Sequence, residues 1–347
     1  MSHNVLLALH SSPSTAKFSM RRVSPIVALF LALAATSASA FDTQRADVRA
    51  FIDEMSTKHG LKRADVRALL RSAESKASII ETMTRPAEQV LPWYEYRERF
   101  LTARRIDKGV EFTHRQARNL ARVREMGVSP DTVVGILGVE TMFGEITGGY
   151  RVLDALATLA FDYPPRAAFF RSELAEFLML TREEKINART AVGSYAGAIG
   201  APQFMPSNYR SIAVDGDGNG RRDLWKSWPD ILLSVAQYLK KYGWRDGEPV
   251  AVSATVDPGD ASRFELDRIQ LNETVGTLRS KGVRFETAMP ESTPAMLIAV
   301  ESRDGTEYRV GFQNFIAITR YNPRVKYALA VNDLGEAVAR AVQDAAR

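Results

Sequence analysis

The chain has 347 residues, of which 45% are hydrophobic and 25% charged, a composition typical of a globular protein with a sizeable core. This composition excludes a disordered chain, and the absence of cysteine excludes a disulfide framework and a lipid-modified thiol. The formal net charge is +5 at pH 7, but lysines and arginines do not cluster with aromatics, so no nucleic-acid partner is indicated.

The first forty residues have the pattern of an export signal. Met20-Arg21-Arg22 is basic, residues 26–35 are apolar, and Ala38-Ser39-Ala40 offers the small residues that a signal peptidase needs. The apolar run is too short to cross a bilayer comfortably. We therefore expect residues 1–40 to be a signal peptide, with Met20 as an alternative start, and the mature protein to be soluble in the periplasm without a transmembrane anchor. The less favoured alternative is a retained membrane anchor. Removal of residues 1–40 leaves 43 basic against 41 acidic residues, a net charge of +2.

After the leader, apolar residues recur with helical spacing. Residues 48–55 predict a helix that Gly60 ends, and a second helix begins near Arg63. Residues 93–100 combine aromatic and basic side chains, which suits either a buried joint between helices or stacking on sugar rings. Residues 114–126 predict one basic helix.

The sequence Ser129-Pro130-Asp131 is typical of a helix start, because serine caps, proline fits the first turn and a negative charge is favoured there. From that start Val133, Ile136, Leu137 and Glu140 fall on one helical face. A carboxyl group therefore ends an apolar stripe. A carboxyl removed from water tends to keep its proton, as a general acid for glycosidic bonds requires. The alternative is a structural acid that caps a helix or pairs with an arginine.

Two segments after this helix also suggest a site. Pro164 and Pro165 make a rigid turn that presents Arg166. Residues 193–207 are rich in glycine and other small residues, which indicates close approach of the backbone to a neighbour. Close helix packing and substrate contact explain this segment equally well, although packing alone leaves Ser194 and Gln203 without a role.

An acidic loop follows and fits the first half of an EF-hand, with Gly220 at the turn position. Its ligands would be the side chains of Asp215, Asp217 and Asn219 and the carbonyl of Arg221. Lys226 occupies the twelfth position, where a glutamate normally completes the ligand set, so Asp223 or Asp230 would have to substitute. We expect a structural Ca²⁺ site, the alternative being a plain cluster of Asp-Gly turns.

The last third of the chain contains predicted strands as well as helices. A helix beginning at Trp228-Pro229-Asp230 runs to Gly243, and residues 249–256, 296–301 and 307–312 alternate as strands. We expect a small β subdomain here and an alanine-rich closing helix over residues 328–346.

Several blocks, in order across about residues 90 to 330, resemble the lytic murein transglycosylase B family (glycoside hydrolase family 103). They are Gly138-Val139-Glu140-Thr141, residues 153–159, Tyr163-Pro164, residues 193–209, the acidic loop and Thr319-Arg320-Tyr321-Asn322. The resemblance implies a mainly α (α+β) fold with a lysozyme-like helical core that cleaves peptidoglycan glycan strands. We expect a domain over 41–347, with an N-terminal helical part (41–112), the core (113–245 and 313–347) and the β subdomain (246–312).

The resemblance also implies roles for single residues. Glu140 matches the family's catalytic acid and base. The positions that match the glycan groove are Tyr96, Arg166, Ser194, Gln203, Tyr321, Asn322 and Tyr327. Pro165 stands where the family has a second groove arginine. The calcium ligands would be Asp215, Asp217, Asn219, the Arg221 carbonyl and, allowing one inserted residue, Asp230.

Hydrolytic glycosidases normally use two carboxyl groups. Glu145, the next candidate, is about 140° around a helix from Glu140 and should not face the same bond. A single-carboxylate reaction that forms a 1,6-anhydromuramoyl end is consistent with this, and needs no catalytic cofactor. A hydrolytic muramidase and a non-catalytic peptidoglycan-binding scaffold are the alternatives. Cell-wall synthesis proteins are further expected partners.

Overall fold

Helices dominate the computed structural model, which describes residues 41–84, 91–257, 259–266 and 268–347. The expected signal peptide lies outside the described residues. The first seven helices are α1 (Ala46–His59), α2 (Arg63–Arg71), α3 (Ala77–Thr84), α4 (Trp93–Phe100), α5 (Ala103–Arg115), α6 (Ala117–Glu125) and α7 (Pro130–Thr141). The later seven are α8 (Val152–Phe161), α9 (Ala167–Glu183), α10 (Pro206–Ile212), α11 (Trp228–Lys241), α12 (Val275–Ser280), α13 (Gln313–Thr319) and α14 (Val325–Ala345). The predicted mainly α, α+β class is confirmed.

The strands form one small ladder and one larger sheet. They are β1 (Tyr150–Arg151), β2 (Val192–Gly193), β3 (Ala251–Val256), β4 (Glu273–Thr274), β5 (Val283–Phe285), β6 (Pro294–Ser302) and β7 (Gly305–Gly311). The sheet has the order β4-β6-β7-β3-β5, and its neighbouring strands pair antiparallel. The predicted hairpin is confirmed, with Ser302 opposite Gly305. A separate apolar cluster, which includes Leu278 and Leu297, lies under this sheet. The division into parts stays a prediction.

The two predicted N-terminal helices are confirmed. Helix α1 buries Val48, Phe51, Ile52 and Met55 and ends at Gly60, whose φ of 65° is the left-handed conformation that glycine adopts without strain. The predicted single helix over 114–126 is wrong. Gln116, with φ −103° and ψ 12°, separates α5 from α6. No proline or glycine lies at this break. The break arises because the two helices pack separately, α5 through the buried Phe112 and α6 through the buried Leu120.

Helices α7 and α14 pack against each other with glycines at their closest contacts. A methyl group on Gly135 would overlap the carbonyl oxygen of Val331, and one on Gly335 would overlap that of Asp131. The two helices therefore run antiparallel in backbone contact, which brings the last turn of α7 beside the first turn of α14. All of α7 from Thr132 onward is buried.

Among the described residues, no helix combines the length and the apolar character that crossing a bilayer requires.

Candidate active site

Glu140 lies in the last turn of α7 and is only 2% exposed. The predicted helix around it is confirmed, with Pro130 in its first turn, although the Ser129 side chain makes no capping hydrogen bond to any described residue. Gly138 lets Leu334 and Phe143 pack against the helix two residues before the carboxyl group. The carboxyl group is thus held on a rigid, close-packed element.

A tyrosine hydroxyl contacts this carboxyl group directly. Tyr327, in the first turn of α14, donates a 2.6 Å hydrogen bond to Oε1 of Glu140. Burial raises the pKa of the Tyr327 phenol well above its ordinary value of 10, and the Glu140 carboxylate raises it further. The phenol therefore keeps its proton and remains a hydrogen-bond donor across the working pH range.

Two more of the predicted groove tyrosines are close to this pair. Tyr321 is fully buried, and burial followed by the charge of Glu140 raises its pKa well above 10. Its hydroxyl donates to the carbonyl of Pro202 at 2.7 Å. Tyr96, on α4, is close enough to affect Tyr327 electrostatically and is 2% exposed. The structure thus brings Tyr321 and Tyr327 close to Glu140, with Tyr96 near Tyr327.

The backbone after Glu140 makes an unusual turn. Met142, Phe143 and Gly144 have φ of 49°, 60° and 88°, so three consecutive residues are left-handed, two of which carry side chains. Thr141 holds the turn, since its hydroxyl donates to the Ala201 carbonyl at 2.9 Å and accepts from the Gly144 amide at 3.0 Å. Backbone strain of this kind persists only where surrounding contacts impose it, and it is common at active sites.

Ser194 and Gln203 brace the glycine-rich segment from inside. Oγ of Ser194 accepts from the amides of Ala196 and Ala198 at 3.3 and 3.0 Å. Nε2 of Gln203 donates to the carbonyls of Gly200 and Thr147 at 2.9 and 3.1 Å. Both side chains are fully buried. They therefore have roles in holding the loop, and their contact with glycan stays a prediction.

The other two predicted groove residues lie on different elements. Asn322 is 2% exposed and directly follows Tyr321. Arg166 belongs to a 3-10 turn, Pro164–Arg166, and its guanidinium lies 4.4 and 4.8 Å from the ring centres of Phe169 and Phe170. Burial lowers the pKa of this guanidinium. These ring contacts belong to the first turn of α9, and the place of Arg166 in a glycan groove stays a prediction.

Glu145 does not face the same region as Glu140. It lies beyond the end of α7, is exposed and forms an ion pair with Lys108 on α5. The described residues hold five further buried acidic side chains, namely Asp154, Glu173, Asp230, Glu248 and Asp333. Each accepts hydrogen bonds from backbone amides or arginines, which gives it a structural role.

The acidic loop brings three carboxyl groups together. One oxygen each of Asp215, Asp217 and Asp230 lies within 4.8 Å of the others. Amides, first that of Gly220, lower the pKa of Asp215, so it is ionised at neutral pH. Asp223 instead accepts from the amides of Trp225 and Lys226 in a local turn. Of the two substitutes considered for the twelfth position, the geometry favours Asp230. Hard oxygen donors at this spacing fit Ca²⁺.

Two residues that contact the turn after Glu140 are not predicted as site residues from the sequence. Thr141 belongs to a block that resembles the family and Trp228 begins a predicted helix, but neither pattern indicates a contact. Trp228 lies at the start of α11, and its ring contacts Gly144 and Phe112. The hydrogen bond from Thr141 to Ala201 and the contacts of Trp228 have no sequence signature, because each joins positions more than fifty residues apart.

The chain is similar to known proteins over most of its length. A family model described as "Transglycosylase SLT domain" matches residues 43–336. The membrane-bound lytic murein transglycosylase B of Escherichia coli K12 is 38% identical over 302 residues, which cover 84% of this chain and 82% of that protein. The catenated lytic transglycosylase SltB1 of Pseudomonas aeruginosa superposes with a TM-score of 0.82 at 43% identity over 86% of this chain and 98% of that one. Escherichia coli Slt35 in complex with calcium gives a TM-score of 0.77 at 36% identity, with 88% and 96% covered.

Proposed function

Because the chain belongs to the transglycosylase SLT domain family, we propose that Glu140 is the single acid and base with which it cleaves peptidoglycan. The protein is a lytic transglycosylase with a lysozyme-like helical core. It acts on the β-1,4 bond between N-acetylmuramic acid and N-acetylglucosamine and leaves a 1,6-anhydromuramoyl end. The observation that supports the role of Glu140 is its burial at the end of α7, against the hydroxyl of Tyr327.

In the proposed reaction Glu140 first donates its proton to the glycosidic oxygen, and the bond from this oxygen to the muramoyl C1 breaks. The carboxylate that remains then takes the proton of the 6-hydroxyl of the same sugar, and O6 forms a bond to C1. The internal hydroxyl replaces water as the nucleophile. Its proximity to C1 therefore supplies much of the rate enhancement that a second carboxylate would otherwise provide. Glu145 is exposed and paired with Lys108, which disfavours a hydrolytic role for it.

Tyr327 has a clear task in this cycle. Its proton-bearing hydroxyl stabilises the carboxylate after the first proton transfer and fixes the orientation of the carboxyl group. Tyr96, Arg166, Ser194, Gln203, Tyr321 and Asn322 are the further residues proposed to line the glycan groove.

The test is mass spectrometry of the fragments that the protein releases from sacculi. We expect anhydro ends from the wild type and from Glu145→Gln, a matched control that changes an exposed carboxyl five positions away. Glu140→Gln should bind sacculi and release no fragments. Reducing ends from the wild type would indicate a muramidase, and normal activity of Glu140→Gln would remove Glu140 from the mechanism.

The remaining expectations join this proposal. Asp215, Asp217, Asn219, the Arg221 carbonyl and Asp230 would hold a structural Ca²⁺, which is supported by the clustering of the three carboxyl groups and by the likeness to calcium-bound Slt35. No cofactor is proposed for catalysis. The pattern of the first forty residues supports export to the periplasm, where the wall and the proteins that synthesise it are the expected partners.

A further inference from the structure

The acidic loop and the first turn of α11 form one hydrogen-bonded unit. Asp230, in this turn, is fully buried and accepts from the amides of Gly216, Asp217 and Asp223 at 2.7, 3.2 and 2.7 Å. Ser227, directly before α11, donates to Asp217 at 2.9 Å. A methyl group on Gly216 would overlap the Pro229 carbonyl, so the loop backbone lies directly against the helix start. The loop and the start of α11 are therefore connected by both hydrogen bonds and backbone packing.

Trp228, in the same helix turn, contacts the turn that follows Glu140. A Cβ on Gly144 would lie 3.0 Å from Cη2 and 3.2 Å from Cζ2 of the indole. The indole also packs edge-on to Phe112, whose ring stacks on Phe143, with centroid distances of 4.8 and 5.2 Å. Gly144 and Phe143 are two of the three left-handed residues after the carboxyl group. The indole thus contacts one residue of this strained turn and, through Phe112, a second.

A second connection runs through the backbone. Leu224 follows Asp223, which donates its amide to Asp230, and the Leu224 carbonyl accepts from the amide of Ala201 at 3.0 Å. The Ala201 carbonyl accepts from the hydroxyl of Thr141, the neighbour of Glu140. Both connections therefore end at residues directly after the carboxyl group.

We infer that Trp228 is a positioning residue that couples cation binding at the acidic loop to the placement of Glu140. Like charges on Asp215, Asp217 and Asp230 repel each other, and a divalent cation draws their oxygens together. The loop then holds the first turn of α11 in position, and the indole of Trp228 fixes the left-handed turn at Gly144. In this inference the cation takes no direct part in the reaction and acts through the placement of Glu140. Substrate binding and the chemical step should respond differently, because misplacement of a catalytic group lowers the turnover rate most directly.

The inference rests on the proposed roles of Glu140 and of the loop, so its first test avoids turnover. Protein labelled with 5-fluorotryptophan has four tryptophans, Trp93, Trp225, Trp228 and Trp244, whose ¹⁹F signals are assigned by single Trp→Phe variants. On titration with Ca²⁺ the signals of Trp225, in the loop, and Trp228 should move with one midpoint, while that of Trp93 stays in place. A Trp228 signal that does not move while that of Trp225 does overturns the coupling. If neither moves, Ca²⁺ does not bind the loop and the inference fails.

The second test separates kcat from KM. In the wild type, removal of Ca²⁺ with a chelator should lower kcat on sacculi about three- to tenfold and leave KM nearly unchanged. Trp228→Phe keeps an aromatic ring near Phe112 but loses the indole edge at Gly144, so its kcat should be low and insensitive to Ca²⁺. Trp225→Phe is the matched control. Its indole donates to the Val192 carbonyl, and we expect a wild-type response to Ca²⁺.

A wild-type response of kcat to Ca²⁺ in Trp228→Phe would overturn the inference. Failure of the proposed function is a separate result, since an active Glu140→Gln would leave the ¹⁹F titration unaffected. The titration itself is carried out on the wild type, and the Trp→Phe variants serve only to assign its signals.

Discussion

The hydroxyl of Tyr327 and the carboxyl group of Glu140 lie 2.6 Å apart, although the two residues are separated by 187 positions in the chain. Neither is exposed by more than 2%. The hydrogen bond joins the end of α7 to the beginning of α14, and it exists because Gly135 and Gly335 let those helices approach to backbone contact. The position of the acid is therefore set by helix packing, and each part of that arrangement can be changed separately.

Tyr327→Phe removes the donor and leaves the ring. We expect kcat to fall about 10- to 100-fold, because the carboxylate formed in the first step loses its stabilising partner. A hydrogen bond to a carboxylate favours the charged form, so without it the limb of the pH–kcat profile set by Glu140 should move to higher pH. The measurement is kcat on sacculi between pH 4 and 9. Tyr238→Phe is the control, since its equally buried hydroxyl donates to the Arg320 carbonyl. An unmoved profile in Tyr327→Phe would contradict the assigned role.

Gly135→Ala tests the helix crossing. The added methyl group meets the Val331 carbonyl, which cannot rotate away, so the helices must separate. We expect the free energy of unfolding in urea to fall by about 1–3 kcal/mol, as is typical of overpacking. Activity should fall as well, because separation lengthens the contact between Glu140 and Tyr327. Gly149→Ala adds the same methyl group at an exposed site with no heavy atom within 4 Å and should unfold as the wild type does. Equal stability of the two variants would refute close packing at Gly135.

Asp333 joins three parts of the chain. Its carboxylate, on α14, accepts from Arg97 on α4 at 2.8 Å and from Arg309 on β7. Burial pushes the pKa of Asp333 up, but the guanidinium groups of Arg309 and Arg97 outweigh it, so the pKa lies below the ordinary 3.8. Asp333→Asn should lower the free energy of unfolding at pH 7 by about 1.5–3 kcal/mol, because it removes a charged acceptor from Arg97 and leaves the half-buried Arg309 with Glu307 as its remaining anion.

The pH dependence of this effect has a definite sign. A carboxyl group with a depressed folded-state pKa stabilises the fold above its unfolded pKa, and this contribution disappears as the pH falls through the folded value. The difference between Asp333→Asn and the wild type should therefore be constant from pH 5 to 7 and shrink below about pH 4. Urea unfolding at several pH values measures it. Asp257→Asn breaks an exposed pair with Arg284 and should change stability little at any pH. A difference that grows on acidification would contradict the pairing.

Removal of Ca²⁺ should lower the thermal stability of the protein. At a Ca²⁺ concentration about 100 times the dissociation constant, binding adds about 2.7 kcal/mol to the free energy of unfolding. Asp217→Asn removes one of the three clustered carboxylates from an exposed position and should abolish the rise in Tm. Asp223→Asn changes an aspartate of the same segment that serves a local turn, and it should keep the rise. A Tm that does not depend on Ca²⁺ in the wild type would argue for a plain Asp-Gly turn cluster.

Helical periodicity locates α1 and α2, because each buries one apolar face. Helices α7 and α11 are buried on nearly all sides, and their start signals, Ser129-Pro130-Asp131 and Trp228-Pro229-Asp230, locate them. Periodicity fails at Gln116, where two helices with continuous composition diverge to pack separately. It also missed β4, β5 and α12, which have two, three and six residues. Elements of this length have too few positions to show a period, and the sheet partners that stabilise them are distant in the chain.

The candidate site likewise has one part that the sequence predicts and another that only the structure provides. Glu140 was identifiable because a carboxyl group interrupts an apolar stripe, which is a local pattern. The neighbours that define its environment are not local. Resemblance to a family suggested Tyr96, Tyr321 and Tyr327, but only the folded chain supplies the hydroxyl contact and the turn held by Thr141. Ser194 and Gln203 likewise hold their loop through hydrogen bonds to backbone amides and carbonyls, and the sequence does not indicate which backbone groups they contact.

The long separation between the two members of the central hydrogen bond has a consequence for biosynthesis. A chain that ends, or has stalled at the ribosome, between the two positions contains Glu140 but lacks Tyr327 and the closing helix α14. We therefore expect nascent and truncated chains to lack the activity proposed for Glu140 until α14 docks against α7.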